Sequence, residues 1–147
     1  IYVYDPYINR IPEAFKQVDF ETLIREVDFV SIHAASTEQT VGMINKAVFS
    51  QMKKSAYLIN TSRGALINEE DLIEALRTEK IAGAALDVFQ KEPLHEDHPF
   101  IKESLNVVIT PHLGGATYDA IENHTKMVIE DISNFINGLP LSYEYKE

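Results

Sequence analysis

The chain has 147 residues, a formal net charge of −10 and no cysteine. That length suits one domain with a sizeable core, and the acidic balance, with no offsetting Lys/Arg cluster, argues against a nucleic-acid partner. Disulfide and thiolate chemistry are excluded, and no apolar run approaches the roughly 20 residues that span a bilayer. Nothing reads as a signal peptide. The expectation is a cytoplasmic protein with no membrane partner. The chain begins without Met, directly in strand-like sequence, as a piece of a longer protein would.

Ile1-Tyr2-Val3-Tyr4 is β-rich, and Asp5-Pro6 ends it because Pro6 cannot continue a central ladder. An acid at a strand tip either makes a simple turn or accepts hydrogen bonds from the ribose hydroxyls of a dinucleotide. Residues 11–27 read as irregular sequence and a short helix with Phe20, Leu23, Ile24 and Val27 on one face. The next strand, Asp28 to His33, ends in small residues. With no metal-ligand spacing around it, His33 reads as lining a cleft. Asn45 caps a short helix that turns Val48, Phe49 and Met52 inward.

Tyr57-Leu58-Ile59 suits a strand buried on both faces. It stops at Asn60-Thr61-Ser62-Arg63-Gly64, small polar residues around one guanidinium. Arg63 is either the partner of a structural acid or a fork for an anionic ligand such as a carboxylate. Asn68 with Asp71 forms a capping-box-like pair, followed by Leu72, Ile73 and Leu76 on one face of a helix near residues 68–79. Ala82-Gly83 then turns the chain into the strand Ala84–Phe89. Asp87 interrupts that strand and is costly to bury unless a strand-end donor or a ligand amide pairs with it. Glu92 lies on the loop that leaves the strand, and His95 and His98 read as exposed loop residues. A final strand, Asn106 to Thr110, stops at Pro111 and is followed by His112 and Gly114-Gly115, a pair that permits close backbone approach. The longest helix, 118–137, carries Ile121, Val128, Ile132, Phe135 and Ile136 inward, with His124 packed near that face. Gly138 and Pro140 close it, and the tail from Leu139 has no clear structure.

Alternating strands and helices predict an α/β fold with a parallel sheet. Asp5, His33, Arg63, Asp87, Glu92 and His112 all fall at or near strand ends, along one edge of such a sheet.

INTSRGALINEEDLIEAL, AALDVFQKEP and NVVITPHLGGAT, in that order and spacing, resemble the NAD-dependent D-isomer-specific 2-hydroxyacid dehydrogenases. The likeness covers essentially the whole chain. It implies a Rossmann-like doubly wound parallel sheet, a catalytic set of Arg63, Glu92 and His112, and NAD contacts from Asp5, His33, Thr61, Asp87 and Gly115, with no metal. It further implies a 2-hydroxy or 2-keto acid as small-molecule partner and a homodimer.

Two departures stand out. Ala35 occupies the place of the Pro in the family's HxP motif, which implies a softer loop beside the cofactor. The G-x-G-x-x-G phosphate loop and its strand are absent and would precede residue 1, since the ribose acid follows that loop by about 20 residues. The expected domain is therefore an incomplete NAD-binding domain over 1–138, with 139–147 leading back toward a substrate domain. By the usual order 3-2-1-4-5-6, the strand ending at Asp5 counts as strand 2 and that ending at His33 as strand 3. The gap then opens against the strand at Tyr57. Residues 1–147 alone are expected to bind NAD weakly and to turn over nothing measurable. An alternative of another class is an NAD(H)-responsive interaction module like the dehydrogenase-related co-repressors. Formate oxidation is opposed by Glu92, because the formate dehydrogenases of the superfamily pair their histidine with Gln.

Overall fold

In the computed structural model, which describes residues 1–8 and 10–144, the chain opens with β1 (Tyr2–Val3). This strand pairs in parallel with β2 (Lys16–Gln17). The α1 helix (Phe20–Glu26) follows, its first turn closed by Asp19, whose side chain accepts from Thr22 N at 2.7 Å. A second parallel sheet has the order β3 (Phe29–Ile32), β4 (Tyr57–Asn60), β5 (Gly83–Leu86) and β6 (Val107–Ile109). Between them lie α2 (Lys46–Gln51), α3 (Glu69–Arg77) and the one-turn α4 (Pro99–Lys102). These elements belong to the first of two compact units, Ile1–Pro111; the second is His112–Glu147.

The α/β parallel sheet is as expected, but its strand order corrects the sequence reading. β3 pairs directly with β4, Val30 opposite Leu58 and Ile32 opposite Asn60. The break between the sheets therefore falls between β1 and β3, and the neighbour of β1 is β2. Sequence reading passed over β2 because it has two residues, both polar and exposed, which no periodicity can reveal. Backbone bonds define it: Lys16 N donates to Ile1 O (2.9 Å) and Val18 N to Val3 O (3.0 Å).

Burial alternates along β3 and β4 in register. Val30, Ile32, Leu58, Asn60, Ala84 and Leu86 are buried, whereas Phe29, Ser31, Tyr57 and Val108 are exposed. The expectation that Tyr57–Ile59 is covered on both faces is thus incorrect within this unit. The cause is topological. Each step from β3 to β6 moves one strand in the same direction, and crossovers of one hand then place every connecting helix on the same face. α1, α2 and α3 fill that face with Ile24, Val48, Phe49, Met52, Leu72, Ile73 and Leu76. On the other face Phe29 and Tyr57 stack with centroids 5.6 Å apart.

Asn45 caps α2, as expected, by accepting from Ala47 N at 3.0 Å. Asn68 accepts from Asp71 N at 3.1 Å, which is half of a capping box. The reciprocal half is absent. Asp71 instead accepts from Lys46 N at 2.8 Å and so ties the start of α2 to α3, while Asn68 N donates to Ile44 O. At the far end of α3, Arg77 holds Glu103 through a forked pair, one arm being Nε to Oε2 at 2.7 Å.

The second unit is built on α5 (Tyr118–Ile136), capped by Thr117, which accepts from Ala120 N at 3.1 Å. Gly138 ends it at φ +69°, the left-handed conformation that favours glycine. Ile121, Val128, Ile132, Phe135 and Ile136, expected inward, are exposed, and so is His124. Among its described residues, their own unit holds no second helix or strand to cover them. The tail has no helix or strand through residue 144, as expected, but residue 142 ties it to the helix: Ser142 N donates to Asp131 Oδ1 (2.7 Å) and Ser142 Oγ to Glu130 Oε1 (2.6 Å). Among the described residues no helix is long and apolar enough to cross a membrane, and no group of three or more acidic, His or Cys side chains could hold a metal ion.

Two outcomes follow from this architecture. Leu58→Ala, at a fully buried position, should cost about 2–5 kcal/mol in urea unfolding, whereas Val108→Ala on the open face of the 147-residue chain should change it by less than about 0.5 kcal/mol. The Arg77 guanidinium holds the Glu103 carboxyl below its ordinary value of 4.5. Its contribution is therefore present above that pH and is lost as the pH falls through the lowered value. Acid titration of unfolding should show a shallower decline in Glu103→Gln than in the parent chain.

Candidate functional site

Asn60 ends β4 fully buried, a placement that requires its amide to be satisfied. Its Nδ2 donates to Arg63 O at 2.9 Å and its Oδ1 accepts from Ser62 N at 3.0 Å. Ser62 Oγ in turn donates to Ile32 O at 2.7 Å, which fastens the turn to β3. The turn is thus held from inside and Arg63 projects from it, exposed, with Nη1 on Ser62 O at 2.6 Å. Arg63 pairs with no carboxylate among the described residues, so the structural-acid alternative is not realised here.

Arg63 leads into a short 3-10 helix, Gly64–Leu66. A Cβ added at Gly64 would lie 2.0 Å from the carbonyl carbon of Phe89 and 2.6 Å from Gln90 N. The backbone beside Arg63 therefore rests on the backbone of the loop that leaves β5. On that loop Glu92 Oε1 accepts from Phe89 N at 2.9 Å. Asp87 is only 5% exposed; Thr110 Oγ1 donates to its carboxylate, and its own N–H donates to Asn60 O at 2.9 Å.

Thr61, Arg63, Asp87 and Glu92 thus gather at the carboxyl ends of β4 and β5, the edge where open parallel sheets bind ligands. His33 follows β3, with Nε2 2.9 Å from Ser31 Oγ. Asp5 follows β1, and its Oδ1 accepts from Tyr7 N at 2.8 Å, a short turn that orients the carboxylate. His112 and Gly115 belong to the second unit. His112 is exposed and sits at φ +56°, a region that a non-glycine residue adopts rarely and often at functional positions. A Cβ on Gly115 would meet nothing within 4 Å, so the protein itself imposes no close approach there.

Sequence reading missed three residues that shape this edge. Asn60 and Ser62 passed as generic turn residues, although an Asn closing an apolar strand is a usable signal for a buried amide. His98, expected to be exposed, has a side chain only 20% exposed that lies 3.5 Å from Glu69. It also caps α4, where its Nδ1 faces Phe100 N at 3.3 Å.

Residues 1–114 match the family described as D-isomer specific 2-hydroxyacid dehydrogenase, NAD binding domain. The chain belongs to that family. It is 38% identical over 144 residues to the D-3-phosphoglycerate dehydrogenase of Archaeoglobus fulgidus, covering 96% of this chain and 27% of that protein. The D-lactate dehydrogenase of Lactobacillus jensenii, solved with NAD+, superposes with a TM-score of 0.85 at 31% identity, over 99% of this chain and 48% of that one. An NADPH-dependent glyoxylate/hydroxypyruvate reductase of Sinorhizobium meliloti, solved with NADP and sulfate, gives 0.83 at 29% identity, over 96% and 46%. The chain therefore spans 27% of that curated relative and under half of the two solved chains.

As a member of that NAD-binding family, the chain has residues that fit the cofactor. An oriented carboxylate follows β1 of one sheet, and polar side chains follow the parallel strands β3, β4 and β5 of the other. The Gly64 contact holds that edge together, and Gly64→Ala should cost at least the ~1–3 kcal/mol of overpacking in urea unfolding. Gly115→Ala, facing open space, should leave the midpoint almost unchanged.

Proposed function

We propose that the full-length protein interconverts a 2-hydroxy acid and its 2-keto acid, using NAD as the redox partner. The observation that carries this reading is the seating of Gly64 on Phe89 and Gln90. It sets Arg63 and the Glu92 loop side by side at the ligand-binding edge of the sheet.

Arg63 binds the substrate carboxylate through its planar fork and polarises the adjacent carbonyl. His112, as imidazolium, donates a proton to the carbonyl oxygen in reduction and removes it in oxidation. Glu92 is the acceptor that orients the ring. Asp5 receives the ribose hydroxyls, and Asp87 receives a donor at the strand end. Thr61, His33 and Gly115 line the path of the cofactor. NAD supplies the hydride chemistry; the chain orients it and moves the proton.

His112→Ala should lower kcat in the full-length protein by about 10²–10⁴. Arg63→Ala should weaken recognition of the carboxylate, and Glu92→Gln should lower kcat, because the acceptor that orients the ring is weakened. Near-normal turnover by the His112 variant would remove that residue from the reaction. NAD should be preferred over NADP, since Asp5 would repel a 2′-phosphate. Equal kcat/KM for the two cofactors would refute the role of Asp5.

A further inference from the structure

Three acids open α3, and two of them are accounted for locally. Glu70 is exposed, and Asp71 ties α3 to α2. Glu69 is different. Asn68 already caps the helix, yet the Glu69 side chain is only 14% exposed. Half-burying a carboxylate is unfavourable unless a hydrogen bond compensates, and here one comes from the loop that carries Glu92. Glu69 Oε1 accepts the backbone N–H of Gln90, and Oε2 lies 3.5 Å from His98 Nε2. His98 Nδ1 accepts from Phe100 N, so the proton of a neutral ring sits on Nε2, which lies beside Glu69 at a separation longer than a hydrogen bond. Gln90 closes the clasp, with its Nε2 donating to Ile67 O at 2.7 Å.

Consecutive amides are thereby divided between two carboxylates. Phe89 N–H goes to Glu92 and Gln90 N–H to Glu69. The loop is held at its root by Gln90 and at its far end by His98, and Glu92 lies between these anchors. We propose that Glu69 is a positioning residue that sets the carboxylate of Glu92 against the sheet edge, through Gln90 and His98. Its consequence for turnover rests on the role of Glu92 given above.

Amide hydrogen exchange in the full-length protein reads the positioning without turnover. Glu69→Ala should reduce protection of both the Gln90 and Phe89 amides by about tenfold or more, with the amides of β4 unchanged. Glu69→Gln, which keeps the acceptor, should restore most of it. The Phe89 amide is decisive, because its partner is Glu92 rather than Glu69; unchanged protection there would overturn the inference. Should the alanine variant not fold, His98→Ala removes the far anchor, and the cap of α4 with it, and should loosen the same two amides to a smaller degree.

Turnover of glyoxylate with NADH adds a coupling test. Glu69→Ala should lower kcat about tenfold in the parent protein, leave KM for NADH unchanged, and have less than about a twofold effect in a Glu92→Gln background. Equal effects in both backgrounds would overturn the inference. If Glu92→Gln itself left kcat unchanged, the role of Glu92 would fail instead, and amide exchange would still decide the positioning.

Discussion

The contact of Gly64 with the Phe89–Gln90 backbone is the constraint on which the candidate site depends. Two loops leave neighbouring parallel strands, and each would ordinarily spread into solvent. Here they meet at a distance that no side chain larger than hydrogen permits. Arg63 adjoins the contact on one side and Phe89, whose N–H holds Glu92, on the other. A cation and a carboxylate loop are thereby placed by backbone geometry, with Asn60 and Ser62 securing the first loop and Glu69 the second.

That arrangement is possible because the interior beneath it is asymmetric. Same-direction crossovers put α2 and α3 on one face of the sheet and concentrate burial there. The buried face ends at Asn60 on β4, so the last inward position of the central strand carries an amide where an apolar side chain would otherwise sit. Its two hydrogen bonds spare it the cost of an unsatisfied buried group, and they convert the end of the hydrophobic core directly into the support of the Arg63 turn. The opposite face of the sheet and the apolar face of α5 are both exposed within their own units.

Family membership and local geometry carry different parts of the functional reading. The family match fixes the kind of domain and its cofactor class. The individual roles rest on chemistry that the fold makes available: a guanidinium with no acid partner among the described residues, an oriented acid after β1 and a histidine in a strained conformation.

The sequence by itself determined the α/β class, the helices capped by Asn45 and Asn68, the inward Val48, Phe49, Leu72 and Leu76, and the family motifs around Arg63, Glu92 and His112. These are local signals: apolar spacing, capping residues and short runs whose side chains identify their chemistry. Tertiary structure alone decided which strand lies beside which. The two polar residues of β2 have no periodic pattern, and pairing is a choice between distant segments. It also decided that Tyr57 faces outward, since an apolar run does not state how many faces are covered. The half-burial of His98 and Glu69 belongs here too, because each is polar in sequence and becomes enclosed only when α3 meets the loop after β5. Coverage of a face and enclosure of a charge are properties of neighbours far along the chain, and no local pattern encodes them.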